Sequence, residues 1–209
     1  MSARSKVEDD LINAMAEFRH NPLGFVLFAF EWGKGELAKF DGPDVWQRET
    51  LTVIGEKLKA GELTVQEAVQ IAIASGHGIG KSALVAWLVG WIMATRPHSN
   101  GVITANTSDQ LSTKTWAEVQ KWNRRSLVGH WFEITTGRGA MKMTHRSSPE
   151  SWKTVAQTCR EENSEAFAGL HNEGKRIVLI YDEASGIDEL LWEVSEGALT
   201  DANTEIIWL

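Results

Sequence analysis

The sequence is poor in several residue types, and each shortage excludes something. It holds one cysteine, one tyrosine and four prolines in 209 residues. A single cysteine rules out an intramolecular disulfide framework and a zinc site built from cysteines. It sets the expectation of a reducing, intracellular setting, with Cys159 itself as a small buried side chain. Long apolar runs are missing too. The longest, Ala83 to Ala94, spans 12 residues. A membrane-spanning helix needs about 20, so this run suits a buried core helix instead. The basic residues at the N-terminus (MSARSKVEDD) lead into no apolar core, so no signal peptide is expected. Without one, the sequon Asn106-Thr107-Ser108 is incidental. His130, His145 and His171 have no ligand spacing to a cysteine or glutamate partner, and no structural zinc is expected.

What is present is a globular composition, 43% hydrophobic and 23% charged, with no internal repeat or low-complexity tract. At this length roughly 70% of the unfolded surface can be buried, enough for one large core. Ten tryptophans stand against one tyrosine. Trp87, Trp91, Trp116 and Trp122 fall at helix-core spacing and are read as packing rather than as base-stacking platforms. The net charge of −7 is uneven: residues 1–60 carry −2, residues 61–160 carry +5 and residues 161–209 carry −10. The middle of the chain can face phosphate; the last segment can do so only through a cation. Lys114, Lys121, Arg124 and Arg125 lie on or just beyond one helix, where a solvated face is the default and phosphate contact the sharper alternative.

Periodicity organises the chain as follows. Val7, Leu11, Ile12, Met15 and Phe18 predict an amphipathic helix over residues 5–19. Residues 21–40 are apolar, aromatic and glycine-rich, as in a segment packed onto a larger body. Asp41-Gly42-Pro43 marks a turn, with Pro43 suited to open a helix running to about residue 59 and stopping at Gly61. An alternating pattern follows: a strand over 69–74, a glycine-rich turn, an apolar helix over 81–95 and a strand over 101–105. A helix capped by Ser108 would run to about Arg125. Residues 130–158 read as short antiparallel strands. Residues 176–181 form a continuous apolar strand of the kind buried on both faces, followed by a helix over 188–199 and a strand over 204–209. Strands alternating with helices imply an α/β fold with a mostly parallel central sheet flanked by helices and a short antiparallel extension.

Three stretches carry chemistry. Residues 75–82 read Ser-Gly-His-Gly-Ile-Gly-Lys-Ser. This matches the phosphate-binding loop pattern in Gly80, Lys81 and Ser82, with Ser75 replacing the first glycine. Backbone N–H groups from Ser75, Gly76, His77, Gly78, Ile79 and Gly80 would cradle phosphates. Lys81 would reach the terminal phosphates, and the Ser82 hydroxyl would meet Mg²⁺. About 100 residues on, Val178-Leu179-Ile180-Tyr181 runs into Asp182-Glu183. Open α/β sheets place ligands at such strand ends. Asp182 would hold Mg²⁺ through water, and Glu183 would act as general base on an attacking water. The third stretch is Trp46-Gln47. A glutamine amide can pair with adenine and an aromatic ring can stack on it. On these two residues alone, a packed Trp46 and a surface Gln47 is the preferred reading.

In their order and spacing these segments resemble the ATPase domain of a tailed-phage terminase large subunit, the motor that packages DNA into procapsids. The resemblance runs from about Pro43 to Leu209, leaving residues 1–42 as a separate helix and packing segment. It includes ITANTSDQ (103–110) as a helicase-like segment, the stretch Phe167 to His171, and IVLIYDEASGI (177–187). It assigns Trp46-Gln47 to adenine. It implies a P-loop NTPase of the additional-strand conserved-glutamate type, with ATP and Mg²⁺ as cofactors and ATP hydrolysis driving double-stranded DNA. It also implies a homo-oligomeric ring, portal, procapsid and small-subunit partners, no membrane, and the cytoplasm of a bacterial host. Such rings use an arginine finger, which can act in trans. Arg124, Arg125, Arg138, Arg146 and Arg160 are candidates, with Arg138 or Arg146 favoured by their place beside a short strand. The family's nuclease domain is not in this sequence. Its coupling motif would follow the last strand, so the 209 residues are expected to be a fragment or a naturally short form. Two other readings are a helicase-like or other P-loop ATPase and a nucleotide-binding assembly module with little turnover.

Overall fold

The computed structural model describes residues 5–61, 69–73, 78–137, 141–158, 172, 174–182 and 205–208. Helix α1 (Lys6–Glu17) starts at Ser5, whose hydroxyl accepts the Glu8 N–H at 3.3 Å. Helix α2 (Pro22–Ala29) is capped by Asn21, whose Oδ1 accepts the Gly24 N–H at 2.9 Å. Pro22 occupies the first turn, where its missing N–H costs nothing. Helix α2 is apolar throughout and buries Phe25, Val26 and Ala29.

Helix α3 (Val45–Gly61) begins two residues later than Pro43 suggests. Gln47 accounts for the difference. Its Oε1 accepts the Asp44 N–H at 2.9 Å, one arm of a capping box that fixes the first helical turn. Strand β1 (Val69–Gln70) is shorter than the expected run of 69–74. It lies at the edge of the described sheet, and among the described residues Val69 and Gln70 pair with Ile207 and Trp208.

Helix α4 (Lys81–Thr95) and strand β2 (Asn100–Ala105) follow as the periodicity predicts. The next helix is more complex. It opens as α5 (Ser108–Gln110), passes through a π-helical turn (Leu111–Thr115) and continues as α6 (Trp116–Arg125). Thr107, not Ser108, caps it: the Thr107 hydroxyl accepts the Gln110 N–H at 3.2 Å, because Thr107 keeps the extended backbone that a cap requires. Strands β3 (Phe132–Thr135), β4 (Met141–His145), β5 (Lys153–Thr158), β6 (Arg176–Asp182) and β7 (Glu205–Trp208) complete the sheet. The helix expected over 188–199 lies outside the described residues, as do Cys159 and His171.

The sheet is mixed, in the order β1-β7-β6-β2-β5-β4-β3. The first five strands are parallel. β4 and β3 extend it in antiparallel fashion, so β5 is both the last parallel strand and the first of the extension. Among the described residues no helix is long and apolar enough to cross a membrane.

The core is unusually aromatic. Phe30, Trp32, Trp87 and Trp122 form one cluster, with Trp122 at 4.9 Å from Phe30, 5.0 Å from Trp87 and 5.8 Å from Trp32 between ring centroids. These rings join the N-terminal segment to α4 and α6. Several indole N–H groups also reach across elements: Trp91 to the Phe18 carbonyl at 2.7 Å, Trp32 to that of Val26 at 2.9 Å, and Trp116 to that of Thr135 at 2.9 Å. The tryptophans named above as packing residues, Trp87, Trp91, Trp116 and Trp122, are buried.

At the end of the sheet where the parallel strands begin, the His145 ring stacks on Trp152 at 3.9 Å. Burial, and after it the nearby His98, hold the His145 pKa below its ordinary 6.5.

Two outcomes follow for stability. Trp122→Ala removes the ring that touches three others and should cost about 3–5 kcal/mol, measured by denaturant unfolding. A loss below about 1 kcal/mol would mean that the cluster contributes little beyond ordinary contact. The unfolded chain holds the His145 proton more strongly than the fold does. The contribution of His145 is therefore full above the unfolded pKa and is lost as pH falls through the lower folded value. Between about pH 7.5 and about pH 5 the wild type should lose melting temperature more steeply than His145→Gln. Parallel curves would show that His145 does not titrate with unfolding.

Candidate functional site

The five parallel strands all point their C-terminal ends to one edge of the sheet, where open α/β sheets collect ligands. Two chain segments meet that edge. One is the turn that leads into α4. Gly78 (φ +78°) and Gly80 (φ +92°) both adopt the left-handed backbone that glycine tolerates and other residues avoid. Gly80 precedes the helix directly, and no side chain caps the first turn of α4. The first turn contains no acidic residue. Its N–H groups, the helix dipole and the positive charge of Lys81 favour an anion there. Ser82, partly exposed, follows Lys81 in the same turn.

The second segment is the end of β6. Asp182 aligns with Ala105, the last residue of β2. It is half-buried, and its Oδ2 accepts a hydrogen bond from the Thr115 hydroxyl. Strand β7 lies between β1, which leads to the glycine turn, and β6, which ends in Asp182.

Gln47 is not the surface residue that its sequence position suggested. It is 4% exposed, and both ends of its amide are used. Oε1 accepts from the Asp44 N–H, and Nε2 donates to the Gly80 carbonyl at 3.0 Å. The start of α3 is thereby tied to the last residue of the glycine turn, 33 positions away. The fit is close: a Cβ on Gly80 would stand 2.8 Å from Gln47 Nε2. Trp46 is partly buried and packs against the core.

Ser75, Gly76, His77, Glu183, Arg138 and Arg160 lie outside the described residues. Arg146 sits beyond β4, at the end of the sheet opposite Asp182, since His145 pairs with Phe132 and Thr144 with Lys153. Its Nε donates to the His130 carbonyl at 3.1 Å, and its guanidinium lies 3.8 Å from Glu133. Of the basic residues on α6, Lys121 pairs with Glu118 at 2.7 Å and Arg125 pairs with Glu36. Lys114 and Arg124 are exposed.

The donor set bears on which metal could be held. Among the described residues no group of three histidine, cysteine or carboxylate side chains gathers. A single carboxylate that accepts from a hydroxyl, on the sheet edge that the glycine turn also meets, suits Mg²⁺. That ion keeps several waters and is held by one or two carboxylates together with substrate phosphates.

Sequence reasoning missed Thr115. One clue was available: Leu111, Thr115 and Val119 form a stripe at i, i+4 and i+8, and the middle position of that inward stripe is polar.

No family model matches the chain. It is 25% identical over 195 residues to the probable terminase large subunit of Enterobacteria phage P7, a match that covers 88% of this chain and 35% of that protein. Its fold matches the crystal structure of the HK97 bacteriophage large terminase with a TM-score of 0.60 at 14% identity, over 91% of this chain and 37% of that one. The second likeness speaks for the fold alone. The chain spans about a third of the length of either protein. Within that span the chain is similar in sequence to one phage terminase large subunit and in fold to another.

Proposed function

We propose that this chain is the ATP-hydrolysing part of a motor that drives double-stranded DNA into a procapsid. The observation that carries this reading is the meeting of the Gly78–Ser82 turn and Asp182 at one sheet edge, with β7 inserted between their strands. That insertion is what an additional-strand P-loop NTPase requires, and the homology to terminase large subunits gives the fold a DNA-packaging setting.

The chain's own residues divide the work as follows. The glycine turn and the first N–H groups of α4 receive phosphate oxygens, and Lys81 offsets the charge of the terminal phosphates. Ser82 and Asp182 hold Mg²⁺, Asp182 through water. The bound cation neutralises charge that develops on the phosphates. Glu183 orients and deprotonates the attacking water. Trp46 and Gln47 flank the adenine side, and Gln47 also anchors the turn at Gly80. Arg138 or Arg146 serves as the arginine finger. Arg146 sits at the opposite end of its own sheet, so it would serve a nucleotide on a neighbouring copy in a homo-oligomeric ring. Lys114 on the π turn and Arg124 on α6 are exposed cations that could meet DNA phosphates. The portal, the procapsid and a small terminase subunit are the partners this role implies, and the host cell's cytoplasm is its setting.

ATP turnover measured with and without double-stranded DNA tests the proposal. DNA should stimulate turnover, and Glu183→Gln should lower it by about 10²–10⁴-fold while ATP still binds. Lys81→Ala should remove ATP binding itself. Intact binding in Lys81→Ala would overturn the phosphate-loop assignment. Tight binding with no turnover in the wild type would favour an assembly module over a motor.

A further inference from the structure

The π-helical turn at Leu111–Thr115 has no part in the nucleotide chemistry proposed so far. Inserting a π turn into an α-helix is costly, and such turns concentrate at functional sites. Here its geometric effect is specific. The Trp116 N–H reaches back five residues to the Leu111 carbonyl. Two consecutive residues, Thr115 and Trp116, then both face inward and are essentially fully buried. Each has a distant partner: Thr115 donates to Asp182 on β6, and Trp116 donates to the Thr135 carbonyl on β3.

The hydroxyl of a helical threonine ordinarily bonds to its own helix, at the carbonyl four residues back. Thr50, Thr52 and Thr95 do this here, donating to the carbonyls of Trp46, Arg48 and Trp91, but Thr115 does not. The hydroxyl is directed to the Asp182 carboxylate instead, 67 positions away. A buried donor aimed at one oxygen of a strand-end carboxylate restrains that carboxylate. Oδ2 is engaged, and Oδ1 is the oxygen left for a metal-bound water.

We propose that Thr115 is a positioning residue that orients the Asp182 carboxylate for a water-coordinated divalent cation, and that the π turn exists to aim its hydroxyl there. The inference rests on the reading of Asp182 as the metal-holding carboxylate. Groups that restrain a metal-binding carboxylate by hydrogen bonding change metal affinity without touching the ion.

The experiment measures Mn²⁺ binding to the ADP-bound 209-residue chain by electron paramagnetic resonance, alongside ADP affinity in EDTA. Thr115→Val keeps the shape and removes the donor. It should weaken Mn²⁺ about tenfold or more and leave metal-free ADP affinity unchanged, and Thr115→Ser should restore wild-type Mn²⁺ binding. A purely structural role would move both affinities together and would overturn the proposal. Unchanged Mn²⁺ affinity in Thr115→Val would overturn it as well. Asp182→Asn separates the two levels. If it weakens Mn²⁺ while Thr115→Val does not, only the role of Thr115 fails. If it leaves Mn²⁺ affinity intact, the reading of Asp182 fails first. Should the valine variant not fold, Thr115→Ala read against Thr115→Ser decides in the same way.

Discussion

Helix α4 has no polar side to turn toward water. From Leu84 to Thr95 nearly every residue is buried, so the helix is stable only where other elements cover it on all sides. β5 and β6 cover it from the sheet, α6 and the π turn lie along it, and α1 and α2 reach it from the N-terminal segment. Burying one large apolar side chain contributes about 1.5–3 kcal/mol. Trp87, Trp91, Leu88 and Ile92 together therefore account for a sizeable part of what holds these layers in place.

The same constraint positions the candidate site. A helix enclosed on all sides cannot shift along its axis without breaking many contacts, so its N-terminal turn holds a fixed place relative to the strand ends. Two specific links reinforce this. The Trp91 indole donates to the Phe18 carbonyl, and the buried Arg176 guanidinium, at the start of β6, lies 4.7 Å over the Trp91 ring. The first residue of β6 thus grips the middle of α4, and its last residue, Asp182, lies at the edge that the first residue of α4 meets. The glycine turn is held from a third direction by Gln47, whose amide joins it to the start of α3. The abundance of tryptophan fits this role. One large ring fills space between layers, and its N–H satisfies a carbonyl on a different element.

What the sequence made legible follows from range. α4, β2 and β6 were readable because their apolar runs are long and local, and burial on both faces leaves a continuous pattern. The common direction of β1 and β6 was readable too, because parallel strands with helical crossovers align their C-terminal ends. The misses depended on particular partners. The start of α3 is set by the reach of Gln47 to Asp44, and the burial of Gln47 by Gly80. Neither partner is visible in a hydropathy pattern. The cap of the helix after β2 differed by one residue because two adjacent hydroxyls compete, and backbone geometry selects Thr107. β1 shrank to two residues because pairing, not apolarity, ends a strand, and among the described strands it has β7 alone as a neighbour.

The π turn is the clearest case of information that a linear pattern cannot hold. In a regular helix the Trp116 N–H would bond four residues back, whereas here it bonds five back, to Leu111. Thr115 and Trp116 both stay inside because each has a partner that fixes it, one at the end of β6 and the other at the end of β3. Five of the described strands include or separate those two ends, in the order β6, β2, β5, β4 and β3. The helix thus spans the sheet from its central strands to its antiparallel edge. Further along, α6 reaches the N-terminal segment through the edge-to-face contact of Trp122 with Phe30 and the pairing of Arg125 with Glu36. A displacement of the Asp182 carboxylate would therefore act on a rigid element with fixed contacts at three separate places, and no one of them could yield without straining the other two.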